Sequence, residues 1–163
     1  MADFSHVMAG PFATHLLRLL GAEVIKIEAP GRGDAMRDYG TDRRYDGMAP
    51  AFIAVNAGKK SIVLDLKQPE GIAALAALLA KADVLVYNLR PRSMARLGLS
   101  YEAVSRVNPR IIFAGLFGYG QNGPYADKPA FDDLIQGAVA VPWLSHLADG
   151  REPSYSPTAI VDR

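Results

Sequence analysis

The sequence is poor in the side chains that bind metals or carry thiol chemistry. Its 163 residues include no cysteine, which excludes disulfides, thiolate nucleophiles and cysteine-ligated metal sites. The three histidines are scattered without paired spacing. We therefore expect no metal site, and any catalysis must use oxygen and nitrogen groups.

A surplus of charge and long apolar runs are also lacking. Lys and Arg number 18 against 17 Asp and Glu, and a net charge of +1 gives no strong field for nucleic acid or a membrane surface. No apolar run approaches the roughly 20 residues that span a bilayer, and the opening MADFSHVMAG has neither the basic stretch nor the long apolar core of a signal peptide. The sequence predicts a cytoplasmic protein that binds neither nucleic acid nor membrane.

Helical and strand patterns alternate along the chain with short connections, which predicts an α/β fold with a mostly parallel sheet flanked by helices. The predicted helices cover residues 11–20, 69–81 and 101–107, and the predicted strands cover residues 23–27, 61–66, 83–87 and 110–114, the last two as buried strands. Residues 29–58 are rich in Gly, Arg and Asp and predict an extended loop. Ligands of such sheets bind beyond the carboxyl ends of the strands, here near Val7, Glu28, Asn88 and Gly115.

A glycine-rich segment follows the last predicted strand. Gly118, Gly120 and Gly123 in GYGQNGP match the spacing of a dinucleotide-binding loop, which makes NAD binding one hypothesis. Such a loop should open directly into a helix, whereas here Pro124 follows at once. A turn whose glycines adopt positive φ is an equal alternative.

Basic residues and isolated carboxylates supply the remaining candidates for chemistry. Guanidinium and ammonium groups near the predicted loops could bind phosphates or simply face solvent; these are Arg32, Arg37, Arg43, Arg44, Lys59, Lys60, Arg90, Arg92 and Arg96. Asp132, Asp133 and Asp162 lie outside the predicted helices, and a carboxylate can attack an activated acyl group or transfer protons. Helix capping is the structural alternative for these aspartates.

Several segments, taken in order and spacing, resemble the class III CoA-transferases: DFSHVMAGP, GAEVIKIEAPGRGD, NAGKKSIVLDLKQPEG, ADVLVYNLRP, LGLSYEAVSRVNPRIIFAGLFGYGQNGPY and PTAIVD. This family includes formyl-CoA transferase, carnitine CoA-transferase and α-methylacyl-CoA racemase. The resemblance implies a Rossmann-like large domain that binds coenzyme A, a smaller second domain and a C-terminal return, in an interlocked homodimer. Family members are far longer. We therefore expect residues 1–163 to be an incomplete large domain with a shortened first strand, inactive without the remainder.

The resemblance implies catalytic roles for two carboxylates. PTAIVD resembles the family segment whose aspartate is the nucleophile, and the match falls on Asp162. Its carboxylate would carry coenzyme A between carboxylic acids as an aspartyl-CoA thioester, with acyl-CoA as substrate and no tightly bound cofactor. Phe131 stands where racemases have a histidine base, which disfavours racemisation and suggests that Phe131 lines the acyl site. Asp132 would orient or tune Asp162.

The resemblance also implies the contacts with coenzyme A: Val7, Met8, Ala9, Asn88, Leu89, Arg90 and Arg96. Met8 stands where some transferases have a glutamine that binds a small dicarboxylate, which disfavours formyl-CoA and oxalate. Ala29 stands where many members carry an arginine near the adenosine, a contact that is either lost or supplied by Arg32. Two further hypotheses stay open: a CoA-thioester racemase or isomerase that uses another base, and a noncatalytic CoA-binding fragment.

Overall fold

The computed structural model describes residues 1–40 and 48–162. The chain divides into two compact units, Met1–Leu116 and Phe117–Arg163, and each is described by itself. The first unit contains a five-stranded sheet, and the second is built around two short helices.

The sheet of the first unit has the strand order β3-β2-β1-β4-β5 and is parallel in every strand pair. Its strands are β1 (Ala2–Phe4), β2 (Ile25–Glu28), β3 (Lys60–Val63), β4 (Val84–Tyr87) and β5 (Ile112–Gly115). In the register, Ala2 lies beside Ile25 on one side and Leu85 on the other. The central strand β1 is buried along its length. The predicted Rossmann-like α/β fold is therefore confirmed.

The described part of this unit contains five α-helices: α1 (Ala9–Leu19), α2 (Pro50–Asn56), α3 (Pro69–Leu79), α4 (Pro91–Arg96) and α5 (Tyr101–Val107). Three of them begin with a proline, whose fixed φ suits a first turn. The hydroxyl of Ser100 accepts a hydrogen bond from the backbone N–H of Ala103 at 3.3 Å, so the predicted cap of α5 is confirmed. Leu75 and Leu79 stand one turn apart on α3 and are both buried.

Two predictions for this unit need correction. Residues 29–58 are not a continuous loop, because the described part contains a 3₁₀ turn (Ala35–Asp38) as well as α2. Strand β5 is not buried: among the strands of the described residues it pairs with β4 alone, and Ile112 is 61% exposed. An apolar run alone cannot distinguish an edge strand from a central one.

The second unit contains α6 (Asp132–Ala138) and α7 (Val141–Asp149). The glycines of GYGQNGP do not adopt the positive φ expected of them, and no described residue of 117–131 is helical. Gly118 is instead a position of close approach, because a Cβ there would lie 2.2 Å from the Cβ of Ala130. The segment therefore lacks the helix of a dinucleotide-binding loop.

Candidate functional site

The strand order reverses between β1 and β4. On one side of this point the sheet continues from β1 to β2 and β3, and on the other side it continues from β4 to β5. In open α/β sheets, ligands bind in the crevice at this switch point, beyond the carboxyl ends of the strands. Asn88 joins the two strand ends there: its Nδ2 donates to the carbonyl of His6 at 2.7 Å, and its Oδ1 accepts from the N–H of His6 at 2.9 Å. The predicted CoA-binding residue Asn88 is thus a connection between the strands that flank the crevice.

Val7, Met8 and Ala9 form the turn from β1 into α1. Val7 has a φ of 67°, Met8 is the N-cap and Ala9 is the first helical residue. The turn is tight, because a Cβ on Gly10 would lie 2.2 Å from the Cβ of Ser5. These residues therefore place the first turn of α1 directly at the carboxyl end of the central strand.

A pocket of about 210 Å³ lies beside these strand ends. It includes Leu89 and Ala29, and its other lining residues are Phe4, His6, Pro30, Leu64, Asp65, Leu66, Lys67 and Leu97. Most of these residues are apolar, so the walls of the pocket are mainly apolar. Burial lowers the pKa of His6, against the opposing effect of the negative charge of Asp34.

The predicted phosphate-binding cations divide into paired and exposed residues. Arg37 binds Glu28 through two nitrogens at 2.6 and 2.7 Å, and Lys59 binds Asp3 at 2.8 Å, so both are engaged in salt bridges. Arg32 pairs with Asp38 at 2.5 Å on the surface. Lys60 pairs with Glu23, Arg92 is exposed, and Arg43 and Arg44 lie outside the described residues.

Arg90 and Arg96 lie at opposite ends of α4, which follows β4. Arg90 is the N-cap of this helix, Arg96 is its last residue, and both side chains are exposed. The helix itself is anchored by Met94, which is 1% exposed. Sequence periodicity did not predict α4, because a six-residue helix with one buried side chain has too short a pattern.

The second unit brings Asp132 and Asp162 together. Oδ2 of Asp132 accepts hydrogen bonds from the backbone N–H groups of Val161, at 2.8 Å, and Asp162, at 3.1 Å. Asp132 thereby holds the backbone of the residue whose side chain is the predicted nucleophile. This contact joins the start of α6 to a segment 30 residues later in the chain.

The two carboxylates have shifted pKa values in opposite directions. Burial and the negative charge of Asp132 raise the pKa of Asp162. Burial would also raise the pKa of Asp132, but hydrogen bonds from Gln136 and from the backbone of Val161 and Asp162 outweigh it and lower the pKa. Asp132 is therefore the acid that ionises first, and its charge acts on Asp162.

The other predicted residues of this region have different positions. Phe131 is the N-cap residue of α6 and is 61% exposed. Asp133 is exposed, and its Oδ1 accepts from the N–H of Leu134 at 2.9 Å. The structure therefore joins Asp132 to Asp162, while the Asp133 carboxylate bonds within its own helical turn.

Sequence reasoning missed Gln136, which is 2% exposed. Its Nε2 donates to Oδ1 of Asp132, and its Oε1 accepts from the N–H of Ser156 at 2.9 Å. Gln136 thus fixes the carboxylate that holds Val161 and Asp162. An amide one helical turn after an aspartate is the only sign of this role in the sequence.

Within residues 1–40 and 48–162, His, Asp and Glu side chains do not assemble into a group of three or more that could hold a metal ion. Over the same ranges, no helix is both long enough and apolar enough to cross a membrane.

Comparison with known proteins identifies the family. The model of CoA-transferase family III matches residues 1–163. The chain is 42% identical over 161 residues to an acetyl-CoA:oxalate CoA-transferase of Acetobacter aceti, covering 98% of this chain and 41% of the relative. It is 40% identical over 167 residues to a succinyl-CoA:glutarate CoA-transferase of Homo sapiens, covering 98% of this chain and 36% of the relative.

A solved structure agrees with this assignment. A CAIB/BAIF family protein from Brucella suis matches with a TM-score of 0.84 and 34% identity, covering 99% of this chain and 43% of that one. The chain thus spans less than half the length of these relatives. Sequence motifs, fold and relatives agree, and this chain belongs to CoA-transferase family III.

Proposed function

We propose that the full-length protein is an enzyme that moves coenzyme A between carboxylic acids, with Asp162 as the nucleophile. The observation that carries this proposal is the pairing of Asp132 with the backbone of Asp162 in a chain of this family. Asp162 is partly buried and its pKa is raised, so its carboxylate is more basic, and hence more nucleophilic, than a fully exposed one once it is ionised.

The reaction proceeds by two exchanges at the Asp162 carboxylate. A carboxylate oxygen attacks the thioester carbonyl of the donor, the C–S bond breaks, and a mixed anhydride and CoA thiolate form. The thiolate then attacks the Asp162 carbonyl, which breaks the anhydride and releases the donor acid. The resulting aspartyl-CoA thioester reacts with the acceptor carboxylate by the same two steps in reverse, so the thioester is conserved.

Asp132 acts as a positioning residue in this mechanism. Its hydrogen bonds to the N–H groups of Val161 and Asp162 fix the backbone that carries the nucleophile. Its negative charge also disfavours ionisation of Asp162, which preserves the basicity of that carboxylate. Gln136 holds the Asp132 carboxylate from its other side.

Coenzyme A binds, in this proposal, at the switch-point crevice between β1 and β4. The turn of Val7, Met8 and Ala9 and the segment of Asn88 and Leu89 lie at the two sides of that crevice. Arg90 and Arg96 are exposed and can supply guanidinium groups to the phosphates. The mainly apolar pocket beside Leu89 suits an aromatic base.

The acid substrates are proposed from two side chains. Met8 carries a thioether rather than an amide, and Phe131 presents a largely exposed ring next to Asp132. Both favour an acid that is less polar than oxalate. The named relatives act on different acids, oxalate for one and glutarate for another, so the acid varies within this family.

We further propose that the protein functions in the cytoplasm as a homodimer, without a tightly bound cofactor. The family resemblance motivates the dimer. Size-exclusion chromatography with light scattering on the full-length protein would measure its mass, and a monomeric mass at micromolar concentration would overturn this part of the proposal.

The catalytic proposal is tested by intact-protein mass spectrometry after incubation of the full-length protein with acyl-CoA. We expect a covalent adduct of the mass of coenzyme A that hydroxylamine removes, because aspartyl thioesters are cleaved by that nucleophile. Asp162→Ala should abolish the adduct. Asp133→Ala is the matched control, because its carboxylate lies in the same unit and bonds only to Leu134 among the described residues.

Two outcomes would contradict this mechanism. An adduct of unchanged yield in Asp162→Ala would place the nucleophile elsewhere. The absence of any adduct in folded wild-type protein that binds coenzyme A would favour a racemase or a noncatalytic CoA-binding protein instead.

A further inference from the structure

Val7 has a backbone conformation that a β-branched residue seldom adopts. Its φ of 67° lies in the left-handed region, where the Cβ of an L-residue crowds the following carbonyl oxygen. Such a conformation persists only where the surrounding structure holds it, and it often occurs at ligand-binding sites. The contacts of residue 7 therefore show what maintains this turn.

The carboxylate of Asp34 holds the Val7 backbone. The N–H of Val7 donates to Oδ1 and Oδ2 of Asp34 at 3.1 and 3.3 Å. Oδ1 also accepts from the N–H of Met36 at 3.0 Å, so the carboxylate is fixed within its own turn. Asp34 is 0% exposed and lies 27 residues after Val7 in the sequence.

Lys26 completes this contact from strand β2. Its ammonium lies 2.8 Å from Oδ2 of Asp34 and donates to the carbonyl of Ser5 at 2.9 Å. The pair thus holds the chain on both sides of His6, at the carbonyl of Ser5 and at the N–H of Val7. Both charged side chains are buried, at 1% and 0% exposure, so neither can pair with solvent ions instead.

We propose that Asp34, neutralised by Lys26, is a positioning residue for coenzyme A, because it holds Val7 in the left-handed conformation that presents residues 7–9 at the crevice. This inference rests on the proposed CoA site at those residues. Asp34 acts through the backbone of Val7 and does not itself contact the substrate.

If the pair only stabilised the fold, its removal would change CoA affinity no more than it changes stability. Replacing a buried ion pair with apolar residues of similar volume is often neutral for stability. Without its acceptor, Val7 can relax to negative φ, which removes local strain but moves the turn that presents residues 7–9. The positioning role therefore predicts a loss of CoA affinity that exceeds any loss of stability.

The test measures the dissociation constant of coenzyme A by isothermal titration calorimetry on the full-length protein. Lys26→Met/Asp34→Leu removes the ion pair and both oxygens that accept from the N–H of Val7. We expect it to weaken the binding of coenzyme A at least tenfold. Lys26→Met/Asp34→Asn keeps an acceptor oxygen for Val7 and should weaken binding less. Should the leucine variant fail to fold, the asparagine variant remains the test: we expect a smaller loss of affinity that Val7→Gly reverses, and unchanged affinity would overturn the role of Asp34.

Adding Val7→Gly to either variant should restore most of the lost affinity. Glycine adopts positive φ about as readily as negative φ, so the turn no longer depends on Asp34. The matched control is Lys59→Met/Asp3→Asn, which removes another buried pair of 2.8 Å whose hydrogen bonds to described residues do not include Val7. Any loss of affinity in that control should not be reversed by Val7→Gly.

The results separate this inference from the proposed function. Wild-type protein that does not bind coenzyme A would overturn both. Wild-type binding with unchanged affinity in the leucine and asparagine variants would overturn only the role of Asp34. A loss that Val7→Gly fails to reverse would do the same, because the loss would then arise from something other than the conformation of residue 7.

Discussion

Glu28 makes the acid stability of the first unit predictable. Its carboxylate binds Arg37 through two nitrogens and accepts from Ser61 Oγ at 3.0 Å and from the N–H of Asp34 at 2.9 Å. Burial alone would raise the pKa of Glu28, but these partners lower it from 4.5 to about 2. Glu28→Gln removes this charge and nearly preserves the shape of the side chain.

The magnitude follows from the displaced pKa. A shift of that size corresponds to about 3 kcal/mol, which we reduce to about 2 kcal/mol because the Arg37 side chain is 24% exposed and partly screened by solvent. A lowered folded-state pKa stabilises the fold above the unfolded value of 4.5, and this stabilisation is lost as the pH falls through about 2. Glu28→Gln should therefore cost about 2 kcal/mol at pH 7 and less than half of that at pH 3.

The assay is urea denaturation of the full-length protein and of Glu28→Gln at pH 7, pH 5 and pH 3. Glu70→Gln serves as control, because Glu70 is exposed on the first turn of α3 and its loss should change stability by about 0.5 kcal/mol or less. A stability difference between wild type and Glu28→Gln that stays constant from pH 7 to pH 3 would show that Glu28 does not ionise with the lowered pKa.

Two further predictions concern the proposed nucleophile and the crevice. Asp132→Asn removes a negative charge that raises the pKa of Asp162, so the acid limb of the pH profile for adduct formation should move to lower pH; an unshifted limb would contradict this coupling. Gly10→Ala places a Cβ 2.2 Å from the Cβ of Ser5, which should cost about 1–3 kcal/mol in denaturation and weaken the binding of coenzyme A. Gly120→Ala, with nothing within 4 Å, is its control; equal effects of both alanines would contradict the packing argument.

The sequence predicted the elements whose signals are local. The helix over residues 69–81 corresponds to α3, and the cap at Ser100 is present, because caps and apolar periodicity act within a few residues. The family motifs also placed Asp132 and Asp162, which the structure brings together. Their roles in catalysis remain proposals.

The contacts that were not predicted depend on residues far apart in the chain. The pattern of residues 29–58 contains many glycines and charges, which usually indicate a solvated loop. Here Arg37 folds back onto Glu28, and Asp34 binds Lys26 and Val7, so these two charged residues organise the described part of the segment. A pairing across 27 residues leaves no periodic signal in a single sequence.

These contacts explain why strand β2 carries two buried charged side chains, Lys26 and Glu28. Consecutive side chains of a strand point to opposite faces of the sheet. Lys26 and Glu28 therefore lie on one face of the sheet, and Ile27 lies on the other. Lys26 binds Asp34 by its side chain, while Glu28 binds the backbone N–H of Asp34. Strand β2 therefore fixes both the carboxylate and the backbone of Asp34, the residue that holds Val7. A substitution of Lys26 or Glu28 should consequently change the affinity for coenzyme A by displacing Asp34 and the turn of residues 7–9, although neither side chain contacts coenzyme A in this proposal.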